Sequence, residues 1–187
     1  MKKLISKILL ALISTLTILN FHSDCPAQTA KDKAPSKIQR HSINADEVLI
    51  QKGFVNDFAE ILDKQTKDKL EQTLSKFKSK AKIDFVIVTV KTIGEENPVD
   101  YSLRLANGWA IGATNPDKAG VLMFIAVESK RWHIQITREL EKALSNTEVR
   151  QLGELMVPLF REKRYGEGIT KCVDAFIKVL KERRSKK

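Results

Sequence analysis

Cysteine is almost absent: Cys25 and Cys172 are the only two in 187 residues. If Cys25 leaves with the N-terminal segment, Cys172 stands alone and no intramolecular disulfide can form. The cysteine-based metal motifs are excluded with it. Histidine is equally sparse, at His22, His41 and His133, and no zinc signature is present. With no basic partner beside it, Cys172 reads as a packed helical thiol rather than a nucleophile. The chain has no phosphate-cradling G-x-x-x-x-G-K-S/T loop and no nucleophile-elbow serine. Aromatic residues make up 6% of the chain and do not interleave with basic ones, so the pattern that stacks nucleic-acid bases is missing. No nucleic-acid partner is expected.

What is present begins at the N-terminus. Met1-Lys-Lys3 and Lys7 are followed by an uncharged apolar stretch over residues 8–23, and Cys25-Pro-Ala27 supplies small residues at the −3 and −1 positions. This is the three-part pattern of a cleaved signal peptide over residues 1–27. The stretch is shorter than the roughly 20 residues of a spanning helix, so a retained N-terminal membrane anchor is the alternative. Residues 28–44 mix Lys, Asp, Pro, Ser and Gln with few apolar side chains, which predicts a flexible polar leader. A single domain follows over residues 45–183, long enough to bury a substantial core. The net charge is +10, and part of the excess lies in Lys181-Glu-Arg-Arg-Ser-Lys-Lys187, of which residues 184–187 form a basic tail. Such an end is attracted to an anionic membrane surface. The expected location is extracytoplasmic, either periplasmic or secreted.

The periodicities define the domain. Asp63 is a good N-cap for a helix over residues 64–80, with Leu70, Leu74, Phe77 and Ala81 at helical spacing. Asp84-Phe-Val-Ile-Val-Thr-Val90 is nearly continuous apolar strand, buried on both faces and requiring helices on both sides of its sheet. Pro98 opens a helix that ends near Trp109. Val121 to Val127 and Arg131 to Thr137 form a β-hairpin. If Val127 opposes Arg131, Val121 opposes Thr137, which brings Asp117 beside the Arg138-Glu-Leu-Glu141 segment. Thr147 is expected to cap a third helix that Pro158 kinks or stops near its end. A last helix over residues 167–182 buries Ile169, Val173, Phe176 and Leu180. The fold class is α/β: a sandwich with a small mixed sheet, parallel crossovers and one antiparallel hairpin.

These residues carry a resemblance. Val55-Asn-Asp57-Phe-Ala59 before a charged helix resembles the opening of the TPM domain. Asp84-Phe-Val-Ile-Val-Thr-Val90, Trp109-Ala-Ile-Gly112, Asp117-Lys-Ala-Gly-Val-Leu-Met123 and Val157-Pro-Leu-Phe160 with Tyr165 are similar to that family's later phrases, in the same order. The resemblance covers residues 53–180 and implies a Rossmann-like α/β sandwich. The family groups thylakoid-lumen photosystem-repair factors with exported or membrane-anchored bacterial proteins. Members have been described as acid phosphatases, calcium binders and accessory factors. The chain departs from the family's G-x-G-L-E phrase at Thr137-Arg-Glu-Leu-Glu141, where Thr137 and Glu139 replace the glycines. Asn146 stands where the family carries an acid.

The acids that remain are Asp57, Asp117, Glu139 and Glu141. The hairpin places Asp117 near the two glutamates, and the resemblance brings Asp57 to the same edge. Such carboxylates suit Ca²⁺ or Mg²⁺, either as a hard-oxygen cage or as a metal site that activates water. The plainer expectation is turn caps and solvated side chains. Arg138 has two readings: a counter-ion that competes with a metal for the same oxygens, or a surface arginine. No catalytic residue is assigned. The functional expectation is an exported TPM-type accessory or binding module, more a protein-binding unit than an enzyme. The alternatives are a calcium-binding module and a metal-dependent acid phosphatase-like hydrolase.

Overall fold

The structure, a computed structural model, describes residues 49–113 and 117–184. The expectations for the signal segment, Cys25, the leader and residues 185–187 fall outside them.

Four strands form one sheet: β1 (Val55–Asp57), β2 (Ile83–Val90), β3 (Ala119–Ala126) and β4 (Arg131–Ile136), in the order β1-β2-β3-β4. The first three run parallel and β4 returns antiparallel to β3. Every residue of β2 and β3 is buried, as their unbroken apolar sequences require of strands covered on both faces.

Alternation sorts these strands into two cores. Ile83, Phe85 and Ile87 join Val121, Met123 and Ile125 on one face, under helix α1 (Lys64–Ala81) and helix α6 (Tyr165–Arg184). Val86, Val88 and Val90 join Leu122 and Phe124 on the other, under helix α2 (Pro98–Gly108). Asp63 caps α1 by accepting from the Thr66 amide at 2.8 Å. Leu74 of α1 is fully buried, as are Ile169, Val173 and Phe176 of α6. Each such side chain contributes about 1.5–3 kcal/mol by leaving water.

The two crossovers step across the sheet in the same direction, yet α1 and α2 lie on opposite faces. They therefore have opposite hands, and one is the rarer left-handed crossover. The geometry also parts two neighbouring connections. Leaving the carboxyl ends of β1 and β2, the chain turns to opposite faces. In open α/β sheets this is where ligands bind.

Two local expectations are corrected. Ala126, not Val127, opposes Arg131, so Val121 opposes Ile136; the hairpin turn takes one more residue than expected. Helix α4 (Asn146–Glu154) is capped by Ser145, not Thr147. Ser145 and Glu148 form a reciprocal capping box, which satisfies two backbone amides where a lone Thr147 hydroxyl would satisfy one. The expected stop is present: α4 ends at Glu154, and Pro158 does not continue it. Pro158 opens a separate helix, α5 (Val157–Arg161), where its missing N–H costs nothing.

Two elements escaped the sequence reading: β1, and a single-turn helix α3 (Arg138–Glu141).

Candidate functional site

The sheet has a carboxyl end, where β1, β2 and β3 finish, and an amino end. The predicted acids are divided between them. Asp57 is the last residue of β1 and pairs with Thr89 near the end of β2. Asp117 precedes Ala119, which pairs with Ile83 at the start of β2. Six residues of β2 separate the two levels, about 20 Å at strand rise. Asp57 is thus not on the edge that holds Asp117, Glu139 and Glu141, contrary to the expectation from resemblance.

At the carboxyl end, Asp57 organises its own turn. Its carboxylate accepts from the amides of Ile61 at 3.2 Å and Leu62 at 2.9 Å, and from the Thr89 hydroxyl. Thr89 is fully buried. Its carbonyl accepts from the Phe58 amide at 3.0 Å and its Oγ1 from the Ala59 amide at 3.3 Å. The carboxylate and the hydroxyl together hold Glu60 in the left-handed region at φ 56°. Three of the roughly four acceptor positions of a carboxylate are occupied this way.

Glu71, two turns into α1, does similar work on the other side of β1. Its two oxygens accept from the amides of Phe54 at 3.1 Å and Val55 at 2.8 Å. Sequence reading passed over Glu71 because it lies in a run of charged helix residues, and nothing local marks it as a clamp.

At the amino end, the hairpin closes on Thr137. Its amide donates to the Gly120 carbonyl and its Oγ1 accepts from the Gly120 amide, both at 3.0 Å. A glycine at 137 has no hydroxyl to make the second bond, which gives this departure from the family phrase a structural role. Asp117 is exposed. Glu139 Oε2 is enclosed yet accepts no hydrogen bond, and its nearest cation, Lys142 Nζ, lies 3.9 Å away. Glu141 is exposed and stands between two clefts. One, about 430 Å³, is lined by Leu103, Asn107, Gly120, Thr137 and Arg138. The other, about 510 Å³, is lined by His133, Asn146 and Arg150. Arg138 is exposed and makes no ion pair among the described residues. Among the described residues no three acidic, histidine or cysteine side chains converge on one point.

A second missed residue is Asp84. It is 5% exposed, ion-pairs with Lys78 at 2.7 Å and accepts from the Gly112 amide at 3.2 Å. It fastens the turn after α2 to the start of the sheet. A charge buried at a strand start was the available signal, since such charges are rare unless paired.

Two titratable groups are perturbed. Burial pushes the Cys172 thiol up to about 12, and its Sγ donates to the Leu152 carbonyl at 3.2 Å. Burial also pulls His133 below its ordinary value, against an opposing hydrogen bond with Gln135.

Comparison with known proteins follows this geometry. No curated protein matches the chain. Among solved structures, the N-terminal domain of a protein from P. gingivalis superposes with a TM-score of 0.62 at 26% identity, over 68% of this chain and 81% of that one. The BA42 protein of the psychrophilic bacterium Bizionia argentinensis gives 0.58 at 13% identity, over 66% and 84%. The N-terminal domain of the cg2496 protein of Corynebacterium glutamicum gives 0.53 at 9%, over 73% and 82%. The latter two share the fold alone. The family model of the TPM domain matches residues 55–179, about two thirds of the sequence. The chain belongs to the TPM-domain family.

Proposed function

We propose that this chain is an exported accessory module that acts by binding a protein partner and does not turn over a substrate. The observation that supports this reading is the use made of Asp57. The acid that opens the family phrase spends its carboxylate on two backbone amides and the buried Thr89 hydroxyl. A carboxylate engaged in this way builds a turn. It is poorly placed to ligate a catalytic metal as well. Export is supported by the N-terminal pattern of basic start, apolar stretch and small residues. Attraction of the basic C-terminal segment to an anionic membrane is a weaker part of the proposal, because Arg183 pairs back onto Glu148 of α4 at 2.6 Å.

The test is hydrolysis of p-nitrophenyl phosphate by the purified mature domain, with and without Ca²⁺ or Mg²⁺. The expected rate equals that of a protein-free blank. A rate proportional to protein concentration, abolished by Asp57→Ala or Asp117→Ala, overturns the reading.

One observation favours a second reading, a divalent-cation site at the amino end. Glu139 Oε2 is enclosed and lacks a hydrogen-bond partner, the condition a bound cation relieves. Calorimetric titration with Ca²⁺ decides it: heat that Glu139→Gln removes supports the site, and no heat at millimolar Ca²⁺ rejects it.

A further inference from the structure

The carboxyl end of the sheet carries a second feature, independent of Asp57's turn and of the accessory reading, since either a binding module or an enzyme can use it. A cleft of about 470 Å³ opens between the hairpin and the α5–α6 connection. This volume lies within the range of small-molecule sites. Its walls are aromatic: Trp132, Phe160 and Tyr165. The walls are fixed by packing. Phe160 and Tyr165 meet edge to face at 5.3 Å. The Phe160 ring lies so close to Gly168 that a Cβ there would stand 2.8 Å from it, and the Trp132 ring covers Gly153 even more tightly.

Three cations surround the mouth: Lys130 from the hairpin turn, Arg161 from the end of α5, and Lys163 from the connection. All three are exposed, and none has a carboxylate partner among the described residues. A fourth lining cation, Arg131, is engaged by the Glu96 carbonyl at 3.1 Å. No carboxylate lines the cleft. Glu162, between Arg161 and Lys163 in sequence, is held by Arg164 at 2.8 Å.

The cleft sits on the same side as Asp57. Asp57, Thr89, Ile125 and Trp132 occupy one row across the four strands. The cleft floor at Ile125 is therefore two strands from Asp57, about 10 Å at strand spacing. Both features face the carboxyl end of the parallel strands.

Aromatic walls below and unpaired positive charge above select for a molecule with the matching polarity. We propose that this cleft binds a small amphipathic anion, with a single acidic headgroup held by Lys130, Arg161 and Lys163 and an apolar body seated against Trp132, Phe160 and Tyr165. The headgroup makes charge-assisted hydrogen bonds at the mouth, and the body displaces water from the aromatic walls.

Decanoate is the probe, with decanol and decyltrimethylammonium of equal chain length as controls, all below their aggregation limits. Titration of the mature domain, followed by tryptophan fluorescence and calorimetry, is expected to give one saturable site for decanoate. Binding is expected to weaken about tenfold in the Lys130→Ala/Arg161→Ala/Lys163→Ala variant, whose exposed positions leave the core intact. Phe160→Leu is expected to weaken decanoate and decanol alike. Equal binding of decanoate and decanol, or an undiminished triple variant, overturns the headgroup assignment. Absence of saturable decanoate binding at millimolar concentration overturns the site. So does binding seen only with anionic phospholipid vesicles, because it identifies a membrane-facing patch and not a cleft.

Discussion

Replacing Asp57 by alanine tests whether this acid builds the carboxyl end of the sheet or serves a metal. The substitution removes the acceptor of three hydrogen bonds. A hydrogen bond to a charged group contributes about 1.5–3 kcal/mol, so three would approach 4.5–9 kcal/mol if none were replaced. Two donors, the amides of Ile61 and Leu62, belong to half-buried residues that water reaches, and most of their loss is recovered. The Thr89 hydroxyl is fully buried, and leaving it unsatisfied costs about 1–3 kcal/mol. The turn also holds Glu60 at positive φ, a strain of about 1 kcal/mol that the carboxylate offsets. The net expectation is about 3 kcal/mol. For a domain of this size that lowers Tm by about 10 °C. Asp57→Asn is expected to fall between, because an amide oxygen still accepts from Thr89 while the NH₂ group confronts the Leu62 amide. The assay is thermal unfolding by circular dichroism in EDTA and again in millimolar Ca²⁺. The structural role predicts the same loss in both. A metal-ligand role predicts little change in EDTA and a loss of the Ca²⁺-induced stabilisation. A variant melting within about 2 °C of the parent in EDTA refutes the reasoning.

The remaining predictions concern other parts of the fold. Glu71→Gln, which weakens the clamp on the Phe54 and Val55 amides, is expected to cost about 1–2 kcal/mol in urea unfolding and to increase amide exchange in β1 first. Gly120→Ala places a Cβ 2.8 Å from Ile111 Cγ2 and 2.9 Å from the Gly112 amide nitrogen, and is expected to destabilise by about 1–3 kcal/mol through overpacking. Cys172 should resist a thiol reagent in the native state and react fully in denaturant. Its raised pKa means that the buried neutral thiol stabilises the fold below its ordinary value of 9.0, a contribution that declines as pH rises from there toward about 12. For His133 the sign is opposite: a depressed folded pKa gives stability above the ordinary value that is lost as pH falls through and below it. An NMR titration placing the His133 midpoint at or above 6.5 contradicts this.

Most of the architecture was legible because it rests on periodicity. The doubly buried strands, the amphipathic α1 and the stripe of α6 each repeat their signal several times. The placement of Asp57 was not legible, and the reason is the length of β1. Three residues show no alternation that separates a strand from a turn. Without β1 as a parallel partner of β2, nothing in the sequence says at which end of the sheet its last residue falls. The hairpin argument was sound for the amino end, where it needed only local turn geometry, and its one-residue error in register left Asp117 and Glu139 at the same end. The cationic cleft was illegible for a related reason. Lys130, Arg161 and Lys163 belong to two turns about 30 residues apart, and only the tertiary fold brings those turns to one opening.

The phrases that carry the family resemblance prove to be places where the chain meets itself. Gly112 ends one of them and Gly120 stands in the middle of the next. Their backbones approach so closely that a Cβ on either would stand about 3 Å from the other's main chain, and buried Asp84 fixes the approach by accepting from the Gly112 amide. Trp109, at the head of the first phrase, donates its indole N–H to the Leu49 carbonyl at 2.8 Å. Phe160 and Tyr165 join ring to ring above Gly168. Asp57 closes the turn that carries the chain from β1 into α1. Each joint demands a particular residue type for steric or hydrogen-bonding reasons, and none of those reasons involves a reacting substrate. A set of joints in a fixed order specifies a topology, including the unusual pair of opposite-handed crossovers. Thr137 and Glu139, which stand where the family phrase carries glycines at one end, and the three cations at the other are the places where substitutions will test for a ligand.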